Sequence, residues 1–247
     1  PAPAAPDQPE PKPASAAVAP RPLLAHVEVR GTGPIPMILI PAFVCDWSVY
    51  DAFMTRNADR YTMYAITLPG FGKSDPPPAP PDDVPYSVAP WLESAVRGIL
   101  QLIDDRHLDK PVVLGVSTGG HVALRVAIAA PEKIRAAATL NGLPAIPLHN
   151  TTVLPQVTRA RITRDEYAAY WKACPADEWA RQQQEWIHVS FPDPERAKAV
   201  LAAAADTPKS SSGRYMLEYF ASDVSDKLSS LNVPVLAISS LPRPTDP

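Results

Sequence analysis

The five residues Gly115-Val116-Ser117-Thr118-Gly119 constrain the fold more than any other stretch of this chain. The run PVVLGV (111–116) is short and continuously apolar, as a strand covered on both faces should be. The segment from Thr118 to Ala130 is rich in Ala and Val and reads as a helix. A serine between the two occupies a sharp strand-to-helix turn, where flanking glycines relieve the crowding of a strained backbone. Such a turn presents its hydroxyl at the carboxyl edge of the sheet, where open α/β sheets bind ligands. The helix start adds unsatisfied N–H groups and the positive end of a dipole, both favourable to a developing oxyanion. As a bare pattern G-x-S-x-G is weakly specific; the strand before it and the helix after it make it read as a nucleophile elbow.

Strand-like and helical segments alternate on both sides of this turn. Leu23 to Gly31 has the alternation of an opening strand, and PMILI (36–40) is another continuously apolar run. Trp47 to Asn57 has helical spacing, and YTMYAITL (61–68) reads as a strand entering the turn PGFGKSDPPP. Ser87 to Asp105 is an amphipathic helix with Trp91, Leu92, Val96, Ile99, Leu100 and Ile103 on one face. IRAAATL (134–140) is a further strand. This order predicts an α/β fold, a mostly parallel sheet flanked by helices. After Pro147 the texture changes. Helical stretches fill 164–223, one of them opened by Asp193-Pro194-Glu195, and Val233 to Ile238 returns to the sheet. The expected boundaries are a Pro/Ala-rich tail over 1–22, a first part of the core over 23–147, a helical lid or cap over 148–223, and a core return over 224–247.

Proline is the compositional outlier, at 32 residues against 10 glycines, and eight of those prolines lie in the first 22 residues. That stretch cannot bury enough apolar surface to offset chain ordering, which predicts a disordered or extended tail. Such tails commonly follow a cleaved export signal, so a periplasmic or secreted location is expected, with the cytoplasm as the alternative. Cys45 and Cys174 could pair or stand as buried thiols. A formal net charge of -3 gives no reason to expect nucleic acid or an anionic membrane surface as partner, and no segment has the length of a membrane span. The histidines and cysteines lack metal-ligand spacing and no phosphate-binding glycine loop is visible, so neither a metal nor a cofactor is expected.

Three segments together resemble the α/β-hydrolase family, over roughly residues 23 to 247. LIPAFVCDW (39–47) stands where that family has a strand leading into a His-Gly-aromatic oxyanion loop. LPGFGKSDPP (68–77) resembles its turn after the next strand, and VLGVSTGGHVAL (113–124) its elbow and following helix. The resemblance implies a serine hydrolase with Ser117 as nucleophile, and with the backbone amides of Thr118 and Phe43 as oxyanion donors. The family's His-Gly is replaced here by Pro41-Ala42, but only the Phe43 amide is required. Trp47, just past that loop, Asn141, at a strand end, and His188, in the lid, are the candidate pocket residues. The lid aromatics Tyr167, Tyr170, Trp171, Trp179, Trp186, Tyr215, Tyr219 and Phe220 either line the pocket or pack the lid onto the body.

A serine nucleophile needs a base, normally a histidine oriented by a carboxylate, and the family's chain order is Ser, then Asp or Glu, then His. Asp246 is the one carboxylate after the last strand and is the candidate acid; no histidine follows it. His26, His107, His121 and His149 fit structural or surface roles, with the His121 side chain expected to point away from the nucleophile. The explanation adopted is truncation, leaving the fold one strand and one helix short. The chemistry expected is cleavage of a carboxylic ester or related small acyl compound through an acyl-enzyme on Ser117. A non-catalytic binding protein or an acyltransferase on the same fold are the alternatives.

Overall fold

The computed structural model describes residues 22–151 and 154–239. The expected tail, apart from Pro22, and Asp246 therefore lie outside the described residues. Six strands form one sheet: β1 (His26–Arg30), β2 (Ile35–Ile40), β3 (Tyr61–Thr67), β4 (Val112–Val116), β5 (Ala136–Leu140) and β6 (Val235–Ile238). Their order is β1-β3-β2-β4-β5-β6, and every neighbouring pair is parallel except β1 with β3. The mostly parallel sheet is thus observed, with one antiparallel edge strand.

Both faces are covered, which explains why the central strands are apolar without alternation. Ile38 and Ile40 pack with residues of α2 (Pro90–Asp105) and α3 (Thr118–Ala129), whereas Met37 and Leu39 pack with Met54 of α1 (Asp51–Arg56). The expected helix from Trp47 to Asn57 divides in two, a 3-10 turn Trp47–Tyr50 followed by α1. Its start is fixed by Asp46, whose carboxylate accepts from Ser48 N at 3.0 Å. Likewise α2 begins at Pro90 rather than Ser87. The residue before a proline is pushed out of the helical region, and Ala89 adopts φ 52, ψ 50.

Between β5 and β6 the chain is helical. Helix α4 (Gln156–Ile162) runs through a π turn (Thr163–Tyr167) into α5 (Ala168–Ala173). There follow α6 (Ala176–Ser190), α7 (Pro194–Ala204), α8 (Lys209–Ala221) and α9 (Ser225–Leu228). Asp193 caps α7, accepting from Arg196 N at 2.9 Å, with Pro194 at its first position. Helix α4 has little apolar periodicity to announce it, because one of its two buried residues is an arginine, the other being Ile162. The buried Arg159 donates through Nη1 to Ile146 O (2.8 Å) and Phe220 O (3.0 Å).

Helix α8 fastens this segment to the body. Ala89 offers no side-chain cap to α2, and Glu218, fully buried on α8, supplies one from 127 residues away. Its Oε2 accepts from Trp91 N at 2.9 Å and Leu92 N at 3.0 Å, and its Oε1 accepts from Arg214 Nε at 2.7 Å. The carboxylate complements the positive end of the α2 dipole. Burial pushes the Glu218 pKa up, while Arg214 and the two amides oppose that shift. Tyr215 Oη donates to Pro69 O at 3.1 Å and Gly72 N donates to Thr207 Oγ1 at 2.8 Å, so both sides of the 68–75 turn are held as well.

Glu218→Ala removes the carboxylate partner of the half-buried Arg214 and leaves two amides uncapped. It is expected to lower stability by about 3 kcal/mol, read as a shift of the urea midpoint at constant slope. Glu218→Gln keeps an acceptor for the amides and is expected to lose less.

Candidate active site

Ser117 is the turn between β4 and α3, at φ 52 and ψ -119, a conformation that costs a residue with a Cβ on the order of 1–3 kcal/mol. The surroundings impose it. Ser117 N donates to Leu140 O at 2.8 Å, and its carbonyl accepts the first helical bond from His121 N at 3.1 Å. A Cβ on Gly115 would lie 2.0 Å from Gly119 O, and one on Gly119 would lie 2.4 Å from both Ile40 O and Pro41 O. Gly120 and Gly142 oppose each other so closely that a Cβ on either would lie within 2.7 Å of the other's Cα. The glycines are needed for close approach: the first turn of α3 rests directly on the ends of β2 and β5.

That contact brings the Pro41–Cys45 loop to the elbow. Cys45 N donates to Ala42 O at 3.1 Å, closing a tight turn in which Val44 takes φ 56, rare for a β-branched residue. Phe43 sits within this turn and is buried. Thr118, the first residue of α3, is 1% exposed; its Oγ1 has no partner among the described residues, and its amide belongs to the orphan N–H groups of a helix start. The structure therefore brings Ser117, Thr118 and the Phe43 loop together.

The other expected site residues are dispersed. Asn141 has φ 52 and an exposed side chain; its amide donates to Ile238 O at 2.7 Å, and it starts the Asn141-Gly142 turn beside the elbow. Trp47 packs its ring 5.9 Å from that of His26, with the Met37, Leu39, Met54 cluster, across the sheet from the cluster that holds Phe43. His188 is exposed near the end of α6, beside Trp186 and Ile187, which face inward. Neither Trp47 nor His188 joins Ser117. No described histidine is hydrogen-bonded to the Ser117 hydroxyl. Cys45 and Cys174 are separate buried thiols, and burial pushes Cys45 up to about 12.

The sequence reading names Asn141 but not its turn with Gly142, although that dipeptide at a strand end is a legible signal. It misses the His121 network, which has no such signal. His121 is fully buried one turn into α3; Nδ1–H donates to Leu143 O at 3.0 Å, and Nε2 accepts from Arg125 Nε at 3.0 Å. A carbonyl can only accept and a guanidinium only donate, which fixes the neutral tautomer. Arg125 also binds Glu93 and Ser222 Oγ, and Tyr219 Oη accepts from Leu143 N at 3.1 Å, its ring 4.5 Å from that of His121. Burial, then the Arg125 charge, lowers the His121 pKa to about 3. A cavity of about 670 Å³ lined by Glu93, Arg125 and Ser222 opens beneath this network, two helical turns from Ser117 and apart from the elbow.

Around Phe43 the inserted helices close an aromatic cluster. Trp171, Trp179 and Trp186 meet its ring edge-on at centroid distances of 6.1, 6.0 and 6.4 Å, and Phe71 does so at 6.4 Å. Among the described residues no group of three or more His, Cys, Asp or Glu could hold a metal ion, and no helix is long and apolar enough to cross a membrane.

Residues 37–246 match the family model described as the alpha/beta hydrolase family. The pimeloyl-[acyl-carrier protein] methyl ester esterase of Aeromonas hydrophila is 35% identical over 118 residues, 48% of this chain and 41% of that protein. The same-named protein of Nitrosomonas europaea is 26% identical over 110 residues, 44% of this chain and 38% of that protein. The matches thus span about four-tenths of these curated relatives' length. A hydrolase of Pseudomonas aeruginosa superposes with a TM-score of 0.67 at 18% identity, covering 87% of this chain and 75% of that one. An esterase of Exiguobacterium antarcticum does so with a TM-score of 0.65 at 17% identity, covering 86% and 75%. At these identities the superpositions establish the fold alone.

Gly119→Ala places a methyl group against two backbone carbonyls that cannot yield, and is expected to cost about 3 kcal/mol in urea unfolding. A second expectation concerns pH. The folded protein keeps His121 neutral where the unfolded chain takes up a proton, so the unfolded state binds more protons between about 6.5 and 3. Stability therefore falls as pH drops below about 6.5, at up to about 1.4 kcal/mol per pH unit. His121→Gln is expected to flatten the slope between about pH 6.5 and 5, above the range where carboxylates dominate, in denaturation curves taken along a pH series.

Proposed function

The chain belongs to the alpha/beta hydrolase family, and from that premise we propose that it is an esterase acting on a small carboxylic ester through an acyl-enzyme on Ser117. In this reading the Ser117 oxygen attacks the ester carbonyl carbon, its proton leaves to a base, and the carbonyl oxygen becomes an oxyanion held by the Phe43 and Thr118 amides. Collapse of the intermediate breaks the carbon–oxygen bond, and the alcohol leaves with a proton. Water then releases the acid and restores the serine. Helices α4 to α8 act as a lid that keeps other water from the oxyanion. The observation that carries the reading is the backbone of Ser117, held at φ 52 and ψ -119 at the head of α3 by contacts that leave no room for a side chain at Gly115 or Gly119. The methyl ester esterases among the curated relatives support an ester as substrate.

A second reading is a binding protein that keeps the elbow without turnover. Hydrolysis of a short p-nitrophenyl ester, together with covalent labelling by a fluorophosphonate, separates the two. The esterase is expected to turn over and to label, and Ser117→Ala to lose both with its thermal unfolding little changed. A protein that binds the ester but neither labels nor turns over would establish the second reading instead.

A further inference from the structure

Three lid tryptophans converge on the single ring of Phe43, the residue whose amide is the proposed oxyanion donor. Their planes stand at 83°, 75° and 77° to it, and Trp171 and Trp179 touch at 4.7 Å. The indoles differ in one respect. Trp171 Nε1 donates to Lys209 O at 3.4 Å, whereas Trp179 Nε1 is buried and has no hydrogen-bond partner among the described residues. Buried tryptophan normally finds a partner for its N–H, and an unpaired donor is a standing penalty that phenylalanine at the same place would avoid. The donor lies against the Phe43 and Trp171 rings, and an indole N–H carries no formal charge to offset the desolvation of an anion, so the acceptor that suits it is a neutral one.

We propose that Trp179 determines specificity at the Ser117 site: its indole N–H hydrogen-bonds a neutral acceptor, such as a ketone oxygen, on the acyl arm of the ester. The rings of Phe43, Trp171 and Trp186 enclose the apolar part of that arm. The assignment rests on Ser117 and Phe43 having the roles given above. It makes the preferred substrates oxygenated medium-chain esters rather than plain alkanoates or half-esters of dicarboxylic acids.

The test separates binding from chemistry by using the Ser117→Ala protein in calorimetric titrations with methyl 4-, 5- and 6-oxoheptanoate and with methyl heptanoate. At least one oxoester is expected to bind about fivefold more tightly than methyl heptanoate, the gain of one net hydrogen bond. Adding Trp179→Phe is expected to erase that preference and leave methyl heptanoate within about twofold, while Trp179→His, which keeps a ring N–H, retains part of it. The Trp179 Nε1–H proton resonance in the Ser117→Ala protein is expected to move downfield with the preferred oxoester and not with methyl heptanoate, a readout that needs no change at Trp179. Equal affinities for all four esters, a preference that survives Trp179→Phe, or an unmoved resonance would each overturn the assignment. Fluorophosphonate labelling of the unaltered protein reads Ser117 independently of Trp179. A protein that labels but shows no oxoester preference therefore refutes this inference alone, and one that does not label refutes the nucleophile.

Discussion

The site depends on backbone meeting backbone with nothing between. The first turn of α3 lies against Ile40 and Pro41 at the end of β2, and against Gly142 just past β5. Side chains at 115, 119, 120 or 142 would push these elements apart, and the turn at Ser117 would relax toward an ordinary conformation. The strain at Ser117 is thus not a choice made by the serine. The sheet sets it and the packing around it sustains it.

The inserted helices are coupled to that unit unevenly. Helix α8 is bound by buried polar contacts: Glu218 on the start of α2, Tyr215 on Pro69, and Tyr219 on the Leu143 amide that follows the elbow's neighbouring turn. Helix α6 buries Ile187 alone and meets the body through the Trp179 and Trp186 rings on Phe43. Polar bonds of fixed geometry make α8 the anchor of the insertion, and ring contacts make α6 its less tightly held part.

The residues that announced themselves did so through local pattern. Ser117 was legible because a buried strand, two glycines and a helix start are adjacent in sequence, and the α7 start because Asp193 and Pro194 are neighbours. Helix α4 was not, since beside Ile162 it turns Arg159 inward, whose guanidinium donates to carbonyls at 146 and 220. The sequence placed Trp47 near the pocket by its proximity to the oxyanion loop. A 3-10 turn capped by Asp46 carries its ring to the opposite face of the sheet instead. The exposure of His188 and the inward turn of Trp186 follow from a helical phase that composition alone did not give.

By itself the sequence determined the order of the strands and of most helices, the elbow at Ser117 and the likeness to a hydrolase, because each rests on spacing within a few residues or on short segments in fixed succession. Only the tertiary structure decided that Glu218 caps a helix 127 residues away, that His121 is held neutral between Leu143 and Arg125, and that three tryptophans close on Phe43. Those outcomes depend on which buried donor meets which acceptor once distant segments pack, and nothing in the local pattern of a chain records that pairing.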